Sequence, residues 1–96
     1  MQQEARRLAR IFRALSNPNR LTIYREILKN DETRLEVGHG CLLTDVARCL
    51  KIGAPTISHH VKELVHAGLV VAERQGRFLV CRINPKTREL ARTALG

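Results

Sequence analysis

The sequence predicts a mainly α-helical domain with a single β-hairpin toward its C-terminal end. Three observations carry that reading. Apolar residues recur at helical spacing in five segments, two of these are separated only by the break Lys51-Ile52-Gly53, and two β-rich runs flank the turn Gln75-Gly76. A chain of 96 residues organises around one hydrophobic core. A single domain over 1–96 is therefore expected and a two-domain enzyme is excluded.

In the first segment Leu8, Ile11, Phe12 and Leu15 fall at i, i+3, i+4 and i+7, with Arg6, Arg7, Arg10 and Arg13 on the remaining faces. This spacing predicts an amphipathic helix over about 4–15. Asn17-Pro18 supplies an N-cap followed by proline at the first helical position, where the missing N–H costs nothing. It opens a helix over about 18–29, with Leu21, Tyr24, Ile27 and Leu28 inward. The stretch NDETRLEVGHGC that follows is polar, holds two glycines and has no helical period, so it reads as a loop or short strand. Thr44 is placed to cap a short helix over about 45–51 with Val46, Ala47 and Leu50 on one stripe. Ala54-Pro55-Thr56 opens the next helix, about 54–67, whose Ile57, Val61, Leu64 and Val65 share a face. Gly68 ends it as a left-handed cap, with Leu69 placed to pack back. The hairpin covers about 69–84, with Arg74 and Arg77 at its tip and Arg82 at a strand end. Pro85 begins a last helix, about 86–95, with Leu90, Ala91, Ala94 and Leu95 on one side. Helix, helix, helix-turn-helix, hairpin, helix is the order of a winged helix-turn-helix domain.

Charge narrows the class of partner. Seventeen Lys and Arg against nine Asp and Glu give +8, a surface that attracts polyanions. The charge lies in blocks: +5 over residues 1–30, −3 over 31–45 and +6 over 46–96. Phe12, Tyr24 and Phe78 are the three aromatics, too few for the stacking platforms that single strands need, so double-stranded DNA is the expected partner. The longest apolar runs, 69–72 and 78–81, are far below the roughly 20 residues that span a bilayer. With no apolar signal run behind the N-terminal arginines, no membrane association and a cytoplasmic location are expected. Cys41, Cys49 and Cys81 lack a CxxC spacing and are expected as reduced thiols.

The runs LSNPNRLTIYREIL and TDVARCLKIGAPTISHHVKELVHAGLVVAERQGRFLVCRIN resemble the ArsR/SmtB family of bacterial winged-helix repressors over roughly residues 8–84. The most specific part is PTISHHVKEL followed by AGLV and an Arg/Gly-bearing hairpin; LSNPNR is a second, independent match. The resemblance implies a homodimer that binds an operator and is released by a metal, metalloid or thiol-reactive signal. It also marks departures. Leu42 and Thr44 stand where many members carry the two cysteines of an ELCVC-type motif, and residues 85–96 lack the Asp and His of the family's C-terminal zinc site. The identity of an effector therefore does not carry over.

A helix entering the major groove needs short polar side chains for base edges and cations for phosphates. Ser58 and His59 are the candidates for base edges, Thr56 and Lys62 for phosphates, and Arg74 and Arg77 for the flanking backbone or minor groove. The plain alternative is a solvated helix face. The stripes Leu8/Ile11/Phe12/Leu15 and Leu90/Leu95 offer more apolar face than a small core needs, which predicts a homodimer and an inverted-repeat operator. Closing the monomer core is the competing role for both stripes. Cys81 and Cys49 are expected to pack. Cys41, two residues after His39 in a polar segment, makes a partial site for a soft metal or metalloid ion, with a further ligand from Cys49, His66 or the other subunit. A plain loop cysteine is the alternative. An enzyme is not expected, because Ser58 and His59 are adjacent on a helix, about 100° apart, and no phosphate loop or hydrolase spacing occurs. A winged helix that binds RNA or docks protein without sensing an effector is the competing function.

Overall fold

The computed structural model of the chain describes residues 2–33 and 41–96. His39 lies outside the described residues. The elements run α1 (Gln2–Leu15), α2 (Pro18–Thr33), β1 (Cys41–Leu42), α3 (Leu43–Leu50), α4 (Ala54–His66), β2 (Val70–Gln75), β3 (Phe78–Ile83) and α5 (Pro85–Ala94). The predicted class, mainly α with a β-hairpin wing, is the observed one. The sheet is antiparallel in the order β1-β3-β2, with Val70 opposite Ile83 and Gln75 opposite Phe78 across the hairpin.

Local chemistry explains most element ends. The Asn17 carboxamide oxygen accepts from the Asn19 and Arg20 N–H groups at the start of α2. At the end of α4 the Gly68 N–H reaches the Val65 carbonyl and the Leu69 N–H the Leu64 carbonyl, the paired bonds of a Schellman motif. Gly68 takes the left-handed φ of 79° that this requires. The hairpin turn has a positive φ at Gly76, 63°, and none at Arg77, the pattern of a type II′ turn. Asn84 joins three elements. Its N–H donates to the Leu69 carbonyl, its carboxamide nitrogen to the Gly68 carbonyl, and its oxygen accepts from Lys86 at the start of α5.

The core is one cluster in which Ile11, Ile23, Ile27, Val46, Leu64 and Leu69 are almost completely buried. Four expectations are corrected by it. The second helix continues past residue 29 to Thr33, because the Asp31 carboxylate accepts from the Ile83 N–H at 3.0 Å and ties the last turn to β3. The third helix starts at Leu43 rather than 45, and Thr44 is not its cap. The chain enters straight from β1 with Leu42 as an extended N-cap that makes no side-chain bond. Ile11, expected at a dimer interface, is fully buried inside the monomer. Cys49, expected to pack, is exposed on α3.

Candidate nucleic-acid interface

The buried face of α4 is made by Ile57, His60, Val61 and Leu64 and is continued by Ala67 just past its end. That stripe fixes the helix rotationally, and at about 100° per residue the opposite side must carry Pro55, His59, Lys62 and His66. All four are exposed. Thr56 is exposed on the flank nearer α2, and Ser58 is half-buried on the flank nearer the wing. From the sequence His66 is considered only as a metal ligand and not for this face, although it lies seven residues beyond His59 and four beyond Lys62, a spacing that the same periodicity marks.

The wing converges on this face. A groove is lined by Ser58, Lys62 and His66 from α4 and by Arg74 and Leu79 from the hairpin. It is continued by a second, in which Ser58, Arg74 and Arg77 meet Thr44 and Ala47 of α3. Ser58, Lys62, Arg74 and Arg77 are thus brought to one place, and His59 and Thr56 sit on the ridge beside it. The Arg77 guanidinium lies 6.0 Å from the centre of the exposed Phe78 ring, a cation–π contact that orients the wing tip.

Pairing of charges separates this face from its surroundings. Arg20 of α2 reaches Glu63 of α4 at 3.9 Å, Arg48 reaches Asp45 at 3.7 Å, and Arg82 reaches Glu73 at 4.0 Å. Lys62, Arg74 and Arg77 have no carboxylate partner among the described residues. Their positive charge is therefore directed outward. Behind the ridge, His60 is buried with its Nδ1 unpartnered among the described residues, and burial, helped by the Arg20 and His59 charges, holds its pKa below the ordinary histidine value. A neutral His60 fits the seam between α2 and α4 without adding a charge to it.

The family described as "Helix-turn-helix domain" matches residues 15–73, which span α2 to β2. The chain belongs to this helix-turn-helix family. An uncharacterised HTH-type transcriptional regulator of Methanocaldococcus jannaschii is 36% identical over 70 residues, 73% of this chain and 70% of that protein. The homodimeric winged helix-turn-helix DNA-binding domain of a possible ArsR-family regulator from Mycobacterium bovis superimposes with a TM-score of 0.71. It is 24% identical, over 95% of this chain and 78% of that one. The transcriptional repressor BigR from Xylella fastidiosa gives 0.71 at 22% identity, over 97% and 87%. This helix-turn-helix chain therefore has the winged fold of ArsR-type regulators, and its family is one of regulators rather than enzymes. No helix among the described residues is long and apolar enough to cross a membrane.

Of the expected sensing residues of this helix-turn-helix chain, the two that are described, Cys41 and Cys49, are not brought together. Cys41 is not an exposed loop thiol but a buried residue of β1, directly opposite Cys81 in the β1/β3 register. Burial, with Cys41 beside it, pushes the Cys81 thiol up to about 12. Cys49 instead donates to the Glu26 carboxylate at 3.3 Å, and that hydrogen bond raises its pKa, keeping it a protonated thiol. No group of three or more His, Cys, Asp or Glu placed to hold a metal ion occurs among the described residues. Of the expected interface residues other than Ile11, Leu8, Phe12, Leu15 and Leu90 are half-buried against the core, and Leu95 is 76% exposed.

Proposed function

We propose that this chain is a sequence-specific, double-stranded-DNA-binding repressor that acts in the cytoplasm as a homodimer on an inverted-repeat operator. The observation that carries the reading is the convergence of Lys62, Arg74 and Arg77, none of them paired to a carboxylate among the described residues, on the groove beside Ser58. In this reading α4 enters the major groove, Ser58 and His59 meet base edges, and Thr56 and Lys62 hold phosphates. Arg74 and Arg77 hold the flanking backbone. Repression follows when the occupied operator overlaps a promoter, and BigR is itself named a repressor. The half-buried stripes of α1 and α5 and the exposed Leu95 support a two-fold partner, which sets two α4 helices about 34 Å apart, one DNA turn.

Release by a soft metal ion, a metalloid or a thiol reagent would act through Cys41, for which the facing Cys81 supplies a second thiol. The neighbouring AntR is named an antimony-specific repressor; its TM-score is 0.74 at 21% identity. Identical release of DNA from the wild type and Cys41→Ser would remove that part of the reading.

Selection of bound duplexes from a random library tests the core of the proposal, with a palindromic sequence as the expected product. His59→Ala should then lose discrimination at its contacted base pair. Lys62→Ala and Arg77→Ala should weaken all duplexes alike, each lowering the slope of log affinity against log salt by about 0.9. Slopes unchanged in both variants would overturn the docking. Tighter binding of single-stranded RNA than of any duplex would favour an RNA-binding module.

A further inference from the structure

We infer that Lys51, in the turn between α3 and α4, is a fourth cationic phosphate contact of the bound duplex, beside Lys62, Arg74 and Arg77; this rests on the DNA-binding reading above. The turn has an inverted arrangement of residues. Lys51 takes a left-handed backbone, φ 56° and ψ 41°, and among the described residues no other non-glycine has a positive φ. Two residues later Gly53 has φ −62° and ψ 145°, which any residue adopts, and a Cβ built there would meet nothing within 4 Å. Folding alone would favour the glycine at 51, where a Cβ is strained, and a larger residue at 53. The lysine is therefore held where the backbone disfavours it, and a side chain kept at such a position implies a use outside the fold.

Its placement and charge indicate that use. The Lys51 and Ile52 N–H groups both reach the Ala47 carbonyl, and Ile52 packs against the core. The turn is thereby fixed with Lys51 exposed next to the start of α4. Six basic residues belong to the two helices, their turn and the wing. Arg48 and Arg82 lie against carboxylates. Lys51 shares with Lys62, Arg74 and Arg77 the lack of a carboxylate partner among the described residues. A compact ammonium on a flexible stem suits a phosphate oxygen and carries no base preference, so Lys51 adds affinity and not specificity.

Binding to a random-sequence duplex of about 30 bp, measured across a salt series, tests the assignment with Lys51→Gly and Lys51→Gln. Lys51→Gln keeps the backbone cost and removes the charge; it should lower the salt slope by about 0.9 and the affinity about three- to tenfold near 0.1 M salt. Lys51→Gly should show the same loss, yet melt at the wild-type temperature or up to about 5 °C above it. Lys86→Gln on α5 removes an equal charge away from the turn and should leave the slope at the wild-type value. An unchanged slope in Lys51→Gln overturns the assignment, whatever Lys51→Gly does. A wild type whose duplex binding does not depend on salt would instead overturn the DNA-binding reading itself.

Discussion

Helices α1 and α4 are almost equal in length, 14 and 13 residues, and each carries one apolar stripe, yet they are held in different ways. α4 is buried along its length from Ile57 to Ala67, closed by the Schellman bonds at Gly68, and tied to α2 by Arg20 and Glu63. α1 buries only Ile11 and Ala14, and Leu8, Phe12 and Leu15 remain half-covered. A helix that reads base edges has to present its outer face at a fixed rotation, which burial of the whole inner face provides. A helix that serves an interface has to leave apolar surface for a partner. In the proposed function the same kind of stripe does two jobs, and the degree to which the monomer covers it tells them apart.

The largest effect should come from the core side of the comparison. Leu64→Ala and Ile11→Ala each remove a fully buried side chain, and both should lower unfolding free energy by about 2–5 kcal/mol in chemical denaturation. If Ile11→Ala left that value unchanged at low protein concentration, α1 would be an interface helix throughout and the contrast with α4 would fail.

Next in size is the loss on the open side. Phe12→Ala should cost less in the monomer and weaken self-association, so that its melting temperature depends less steeply on protein concentration than that of the wild type. Sedimentation at micromolar concentration reads the same effect, and a wild-type monomer there would remove the role of the α1 stripe as a dimer face.

A smaller effect tests the end of α4. Gly68→Ala would put a Cβ on a left-handed residue, with the buried Thr87 hydroxyl 3.7 Å away, and should destabilise by about 1–2 kcal/mol. The loss should leave the salt slope of DNA binding intact, since the change lies behind the outer face.

The smallest effect concerns pH. Burial lowers the pKa of folded His60 below its unfolded value near 6.5, so the unfolded chain takes up the proton first as pH falls. The stability that neutral His60 contributes is complete above about pH 6.5 and declines below it as the folded protein approaches its own lower pKa. His60→Gln should therefore show a smaller drop in melting temperature between pH 7.5 and 5.5 than the wild type. An equal drop would mean that the seam between α2 and α4 does not depend on a neutral imidazole.

The outer face of α4 was legible in the sequence because a helix converts spacing into direction. Once Ile57, Val61 and Leu64 point inward, His59 and Lys62 point out, and His66 follows by the same rule. The hairpin was legible from Gly76 and the β-rich runs beside it. Cys41 was not, because a two-residue strand has no period, and the neighbouring glycines and acidic residues read as loop. Its burial comes from pairing with β3, forty residues away in the chain. Cys49 failed in the opposite sense: it flanks the apolar stripe of α3 but falls on the exposed side, where Glu26 of α2 meets it.

By itself, then, the sequence determined the order of the helices and the hairpin, the net charge and the rotation of α4, since periodicity, capping residues and glycine positions are local properties. Tertiary structure decided which cations stay unpaired, which cysteines are covered and how much of α1 is left open. Those outcomes depend on what lies across the gap from each side chain, and no local pattern contains that information.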